Sequence, residues 1–277
     1  MAGPQRHSND TGAPYDDGAR SVGRSAHSPE MLMPVLARGR YRVRLADGPA
    51  DIAAAQALRH LCFHGRAGLD CDDFDQICQH ILVEDGRDGA LVCVFRLLAL
   101  PNGGAIGSSY SAQYYNLSAL AHYAGPMAEM GRFCIHPAYK DPDILRVAWG
   151  ALTGIVDQQG VEMLFGCASF HGTEAEQYHD AFAMLRARHV APKRWLPKVK
   201  APRVFRFSRL SQYLPDAKQA MRRMPPLLRT YLLMGGWVSD HAVVDGQMNT
   251  LHVFTGLEIA AIPPARARLL RAVAAGA

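Results

Sequence analysis

The stretch MAEMGRFCIHPAYKDPDILRVAWGALTGIVDQQGVEMLFGCASF, residues 127–170, reads as strand, helix and strand. Met127 to Ile135 is largely apolar, with Glu129 and Arg132 as charged interruptions. Leu145, Ala148, Trp149, Leu152, Ile155 and Val156 then share one helical face, and Gly160 stops the helix. Val161 to Phe170 is almost continuously apolar, as a strand covered on both faces must be. A helix from 144 to 159 between two such strands makes them parallel neighbours joined by a right-handed crossover.

The flanks extend this pattern. Ala90 to Leu100 is a long apolar strand ended by Pro101-Asn102-Gly103-Gly104. His80 to Val83 is a short strand before the turn cluster Asp85-Gly86-Arg87-Asp88-Gly89. Arg40 to Leu45 alternates as a strand does. Asp47-Gly48-Pro49 then opens a helix striped by Ile52, Ala55, Leu58, Leu61 and Cys62. Downstream, Tyr178, Ala181, Phe182 and Leu185 mark another helix. Val204 to Phe207 is strand-like, a basic helix runs from about Asp216 to Met234, and Leu251 to Ile259 reads as a last strand. Ile106 to Gly125, rich in Ser and Tyr, matches no period. This order predicts an α/β fold, a mixed sheet with helices on both faces. Three segments are expected: a disordered leader over 1–34, a main domain over 35–212, and a C-terminal helical and strand extension over 213–277. That extension packs on the domain or on a membrane surface.

Composition narrows the class. Of 277 residues, 49% are hydrophobic and 20% charged, an ordinary globular balance. The first 34 residues lack the apolar core of about 7–15 residues that a secretory signal needs. No segment offers the ~20 continuous apolar residues of a membrane span. The six cysteines form no C-x-x-C pair and read as free thiols in a reducing compartment, and no paired ligands suggest a metal site. A cytoplasmic location follows. The net charge of +5 is unevenly spread. Ala181 to Leu214 contains no Asp or Glu but carries nine basic residues, Lys193, Arg194, Lys198 and Lys200 among them. Such a field attracts an acidic partner, or else it is a solvated face. It lacks the aromatic interleaving of a nucleic-acid stacking platform.

The residues that carry chemistry are charges in apolar places. Glu129 and Arg132 sit in a central strand, and Arg96 interrupts the strand before it. Arg59 and Phe63 share one face of the first helix, four residues apart. Asp72, Asp73 and Asp75 follow. Buried charges are costly unless paired, so these groups form a site or an ion network that only holds the core. A carboxylate with a raised pKa in a dry cleft can take the proton of an ammonium group.

The spacing Arg59-x-x-x-Phe63, Asp72-x-x-Asp75, Arg96 and Glu129-x-x-Arg132-Phe133 resembles the acyl-homoserine-lactone synthases, GNAT-fold enzymes that draw acyl groups from acyl carrier protein. Gly68-Leu69 stand where those synthases carry a Trp, which disfavours the homoserine-lactone reaction. Glu129 to Pro137, Leu164 to Phe170, Met224-Pro-Pro-Leu-Leu-Arg-x-Tyr231, Asp245, Asn249-Thr250 and Val253-Phe254 are similar to the bacterial ornithine N-acyltransferases over about 35–262. The resemblance implies a GNAT-type fold. It also implies transfer of a 3-hydroxyacyl group from acyl carrier protein to the α-amine of L-ornithine, giving lyso-ornithine lipid.

On that basis Glu129 is the expected base and Arg132 its catalytic neighbour. Arg59, Phe63, Asp72, Asp75, Arg96 and Ser169 are expected to bind substrate. Arg132 and Arg96 either hold Glu129 or bind a substrate carboxylate. Asp72 or Asp75 takes the cationic end of ornithine or pairs with Arg59. Backbone N–H groups near Gly131 to Phe133 are candidates for an oxyanion hole.

The turn from His136 to Asp143 holds two prolines and no glycine. It frees few N–H groups for a pyrophosphate, which argues against coenzyme A and for phosphopantetheine on an acyl carrier protein. No bound cofactor is expected. Lys193, Arg194, Lys198 and Lys200 are the expected contacts for that acidic carrier. The helix near 216–234 sets Lys218, Arg222, Arg223 and Arg229 against several leucines. It suits the inner face of the cytoplasmic membrane, or packing on the domain. Two His-x4-Asp pairs, His80/Asp85 and His136/Asp141, are read as structural. Competing functions are a homoserine-lactone synthase or another carrier-dependent N-acyltransferase, and a basic binding module with no catalysis.

Overall fold

The computed structural model describes residues 36–275, so the expected leader over 1–34 lies outside the described residues. In chain order the elements are β1 (Leu36–Arg38), β2 (Tyr41–Leu45), α1 (Pro49–His64), β3 (Gln79–Asp85), β4 (Leu91–Leu100), β5 (Tyr115–Asn116) and β6 (Met127–Ile135). Then come α2 (Pro142–Gln158), β7 (Met163–His171), α3 (His179–Arg188), β8 (Lys198–Val199) and β9 (Val204–Arg206). The last are α4 (Ala217–Arg223), α5 (Pro226–Leu233), β10 (Trp237–Val238), β11 (His241–Asp245), β12 (Thr250–Glu258) and α6 (Pro264–Ala274).

Among the described residues, ten strands form one sheet in the order β1-β2-β3-β4-β6-β7-β12-β11-β9, with β10 paired to β12. Its one parallel pair among the described residues is β6–β7, bridged by α2, as the spacing over 127–170 predicts. Successive residues of a strand face opposite sides. Val94 therefore meets Ala55 and Leu58 of α1, while Phe95 belongs to the core under α2 with Trp149, Leu152 and Tyr231. Beyond it on that second face, Phe182 and Leu185 of α3 cover Phe170, Leu251 and Val253. Burying one such side chain stabilises the fold by roughly 1.5–3 kcal/mol, so these layers fix the central strands firmly.

Residues 213–277, expected as an extension, supply β10, β11 and β12. β12 lies directly against β7, and β11 against β9, so both segments of the chain share one sheet. The helix expected over 216–234 is two helices, α4 and α5. Pro225 and Pro226 interrupt it, and Met224 is extended with ψ 128, as a residue before proline prefers. Among the described residues no helix is long and apolar enough to cross a membrane.

Candidate active site

β6 and β7 run side by side only from Met127/Met163 to Met130/Gly166. Beyond that step β6 stays with β4 and β7 stays with β12, so the sheet opens like a wedge. Gly166 is needed at the last paired step, because a side chain there would run into the Met130 carbonyl oxygen. The opening is a cleft of about 400 Å³. It reaches both faces of the sheet. Leu145, Phe170, Leu227 and Tyr231 line one side, and Tyr110, Glu129, Cys167, Asp245 and His252 the other.

A bulge sets the chemistry at the wedge. Arg96 pairs with Gly131 and Val94 with Cys134, so Arg132 and Phe133 together oppose Phe95. Arg132 has φ 53, a left-handed conformation that costs a non-glycine residue of order 1–3 kcal/mol. In a regular strand Glu129 and Arg132, three residues apart, would face opposite sides. The bulge turns Arg132 back to the side of Glu129, and both touch Tyr110. The Tyr110 N–H donates to Glu129 Oε2 at 2.7 Å, and the Arg132 guanidinium lies 5.0 Å from the Tyr110 ring centroid.

Glu129 is 4% exposed and has no salt bridge among the described residues. Besides Tyr110 N–H it accepts from Ser111 N–H and the Ser111 hydroxyl. Burial raises its pKa, and these three donors together with the charge of Arg96 offset only part of that rise. Ile106 to Gly125, unassigned from sequence, is therefore built mainly of short 3₁₀ turns that deliver Tyr110 and Ser111 to the carboxylate, with the two-residue β5 among them.

Arg59, Arg96, Asp72 and Asp75 come together as expected, but in a closed network beside the cleft. Arg59 binds Asp75 at 2.7 and 2.9 Å and Asp70 at 2.8 Å. Arg96 binds Asp72 at 2.5 and 2.8 Å and Asp75 at 2.7 Å. Arg132 binds Asp70 at 2.9 Å and Asp72 at 3.0 Å. Burial by itself would raise the Asp75 carboxyl, but hydrogen bonds from Arg59 and Gln56 and the charges of Arg59 and Arg96 hold it well below the usual range. Three guanidinium groups thus meet three carboxylates. Asp70, absent from the sequence expectation, completes the set, whereas Asp73 is exposed. Of the six predicted substrate-binding residues, Phe63, Arg96 and Ser169 line the cleft; Arg59, Asp72 and Asp75 stand behind it in the network.

The cleft also contains residues that sequence reasoning gave no role. Asp245 is 6% exposed and His252 3% exposed, and both lie on its wall. Burial lowers the His252 pKa to about 4, so the ring is neutral near pH 7. Lys193, Arg194, Lys198 and Lys200 are all exposed. Arg194 lies 3.4 Å from Glu258, and Lys200 Nζ donates to the Ala112 carbonyl at 2.6 Å, next to Ser111. The two His-x4-Asp pairs do not assemble as sites. Asp85 binds Arg40 and Arg87, and Asp141 caps α2.

Comparisons with known proteins give the family. Residues 58–150 match a family model described as an acetyltransferase (GNAT) domain. An L-ornithine N(alpha)-acyltransferase from Rhodobacter capsulatus is 31% identical over 229 residues, 77% of this chain and 88% of that protein. The chain belongs to the L-ornithine N(alpha)-acyltransferase family. Another member of that family, from Rhizobium meliloti, is 30% identical over 79% of this chain and 80% of its own length. Among solved structures, an N-acyl amino acid synthase from uncultured soil microbes has 12% identity and a TM-score of 0.46, over 80% of this chain and 91% of that one. The fold of this acyltransferase family member is GNAT-like, a mixed sheet flanked by helices.

Proposed function

We propose that this chain moves a 3-hydroxyacyl group from the phosphopantetheine thioester of an acyl carrier protein to the α-amine of L-ornithine. The observation that carries the reading is the through-sheet cleft with an unpaired, buried Glu129 at the point where β6 and β7 part. The family supplies the acceptor, since the relatives are named for ornithine Nα-acylation.

Glu129 takes a proton from the α-ammonium, which frees the nitrogen lone pair. The nitrogen attacks the thioester carbonyl carbon, and the oxyanion meets backbone N–H groups at the bulge of residues 131–133. The C–N bond stays and the C–S bond breaks; the attacking nitrogen gives its second proton to the leaving pantetheine thiolate, and Glu129 releases the first to solvent. Arg132, at the cleft wall and 12% exposed at its side chain, faces the acceptor's α-carboxylate. Phe63 and Ser169 line the path of the substrates, and Arg59, Asp72, Asp75 and Arg96 hold Arg132 in place.

The donor reading rests on charge. Asp141 caps α2 through its side chain and Asp143 lies in the first turn, so the helix end that follows β6 repels a pyrophosphate. The exposed Lys193, Arg194, Lys198 and Lys200 suit an acidic carrier protein instead. Basic residues of α4 and α5, with Leu214 91% exposed nearby, fit attachment to an anionic membrane surface, where a lipid product is released. Incubation with 3-hydroxyacyl carrier protein and a panel of amines, followed by mass spectrometry, tests the reading. An acylated ornithine is expected. Acylation of other amines but not of ornithine would overturn it.

A further inference from the structure

The cleft holds a second buried carboxylate that the acyl transfer does not use. Asp245 ends β11, lines the cleft, and accepts through Oδ1 from the N–H groups of Gln247 and Met248 at 3.0 and 3.1 Å. Among the described residues no basic side chain pairs with it within 4.0 Å. The surrounding charge makes this unusual. Arg59, Arg96 and Arg132 are matched by Asp70, Asp72 and Asp75, which leaves Glu129 and Asp245 as the two uncompensated acids on the cleft wall. A buried carboxylate without a cationic partner is costly, so a cation that reaches the cleft is favoured beside it.

His252 supplies an independent observation. Asp245 pairs in register with Thr250, and His252 follows two residues along β12 on the same face. The Tyr115 hydroxyl donates to the His252 carbonyl at 2.8 Å, so its oxygen is left to accept from the ring at Nδ1, 3.1 Å away. Nδ1 therefore carries the proton, and the lone pair sits on Nε2. Nε2 is buried and has no partner. The ring is neutral, so it offers an acceptor and no competing charge. Glu129 of β6 and Asp245 of β11 line the same side of the cleft, with β7 and β12 between them.

We infer that Asp245 and His252 form the recognition pocket for the acceptor's side-chain ammonium, and so select a diamino acid over a monoamino acid. The inference rests on the reading that the chain acylates ornithine. An alkylammonium donates to the Asp245 carboxylate and to His252 Nε2 together, while its other amine lies toward Glu129. A monoamino acid of equal length leaves both acceptors buried and unmet, which is what gives such a site its discrimination.

The test compares kcat/KM for L-ornithine and for L-norvaline, the same carbon chain without the side-chain amine. The wild-type protein is expected to prefer ornithine by at least about 100-fold, and Asp245→Asn to reduce that preference at least about tenfold. Equal use of the two acceptors by the wild type, or equal losses on both in Asp245→Asn, would overturn the inference while acyl transfer to ornithine stood. A wild-type protein that acylates norvaline but not ornithine would instead remove the functional reading itself. Should Asp245→Asn not fold, Asp245→Glu decides. Its longer arm should shift preference from ornithine to 2,4-diaminobutyrate, one methylene shorter, and an unchanged preference would overturn the inference.

Discussion

Ser111 donates twice to one oxygen of Glu129: its backbone N–H at 2.7 Å and its hydroxyl at 2.5 Å both meet Oε1. The pairing joins a 3₁₀ turn to the central strand and sets the state of the proposed base. Burial pushes the Glu129 carboxyl up, and Ser111 is the largest influence drawing it back.

Ser111→Ala therefore raises the Glu129 pKa further. The acid limb of the kcat/KM profile should move to higher pH, with the plateau above it kept. The sign follows from the role: a base works ionised, and a raised pKa delays ionisation as pH rises. A limb that does not move would remove Glu129 from that role.

The three-arginine, three-aspartate network predicts the stability profile. Asp72 and Asp75 are held below the usual carboxylate range in the folded protein. Their contribution is present above the unfolded aspartate pKa of about 3.9 and is lost as pH falls below it. Asp75→Asn should cost about 3–5 kcal/mol at pH 7, because it leaves Arg59 and Arg96 short of charge in a buried place. Thermal unfolding read at pH 7 and pH 3 checks both statements. A wild-type Tm that does not fall with pH would contradict the linkage.

Charge reversal at Lys193, Arg194 and Lys198 should raise KM for the acyl carrier protein about tenfold at low salt, with the effect shrinking as salt is added. These side chains are exposed, so Tm should hardly change. Lys200 is kept in this variant because it donates to the Ala112 carbonyl beside Ser111. An unchanged KM would return the stretch to a solvated face.

With the same acyl chain, the carrier-protein thioester should exceed the coenzyme A thioester by at least about tenfold in kcat/KM. Asp141 and Asp143 at the start of α2 are the reason. Equal use of both donors would contradict it.

Periodicity made the central strands, α1, α2 and α3 legible, because each buries a face whose apolar spacing follows its geometry. Glu129, Arg96 and Arg132 stood out as charges in apolar strands. What periodicity could not convey is the bulge at Arg132, since a strand reading sets residues 129 and 132 on opposite faces. The turns of 103–122 carry Tyr110 and Ser111 without any period, so the partners of Glu129 stayed hidden. Asp70 was within reach of charge counting. Arg59, Arg96 and Arg132 call for three acids, and exposed Asp73 does not serve. β11 is five residues between loops, too short to announce itself, and Asp245 at its end went without a role for that reason.

A single-turnover reaction of 3-hydroxyacyl carrier protein with L-ornithine, followed by mass spectrometry for the wild type and Glu129→Ala, tests most directly whether acyl transfer takes place at Glu129 in the wedge between β6 and β7. Acyl-ornithine and free carrier protein are expected in equal amounts from the wild type, and a rate at least about 100-fold lower from a variant with unchanged circular dichroism. A folded Glu129→Ala protein that turns over at the wild-type rate would contradict it.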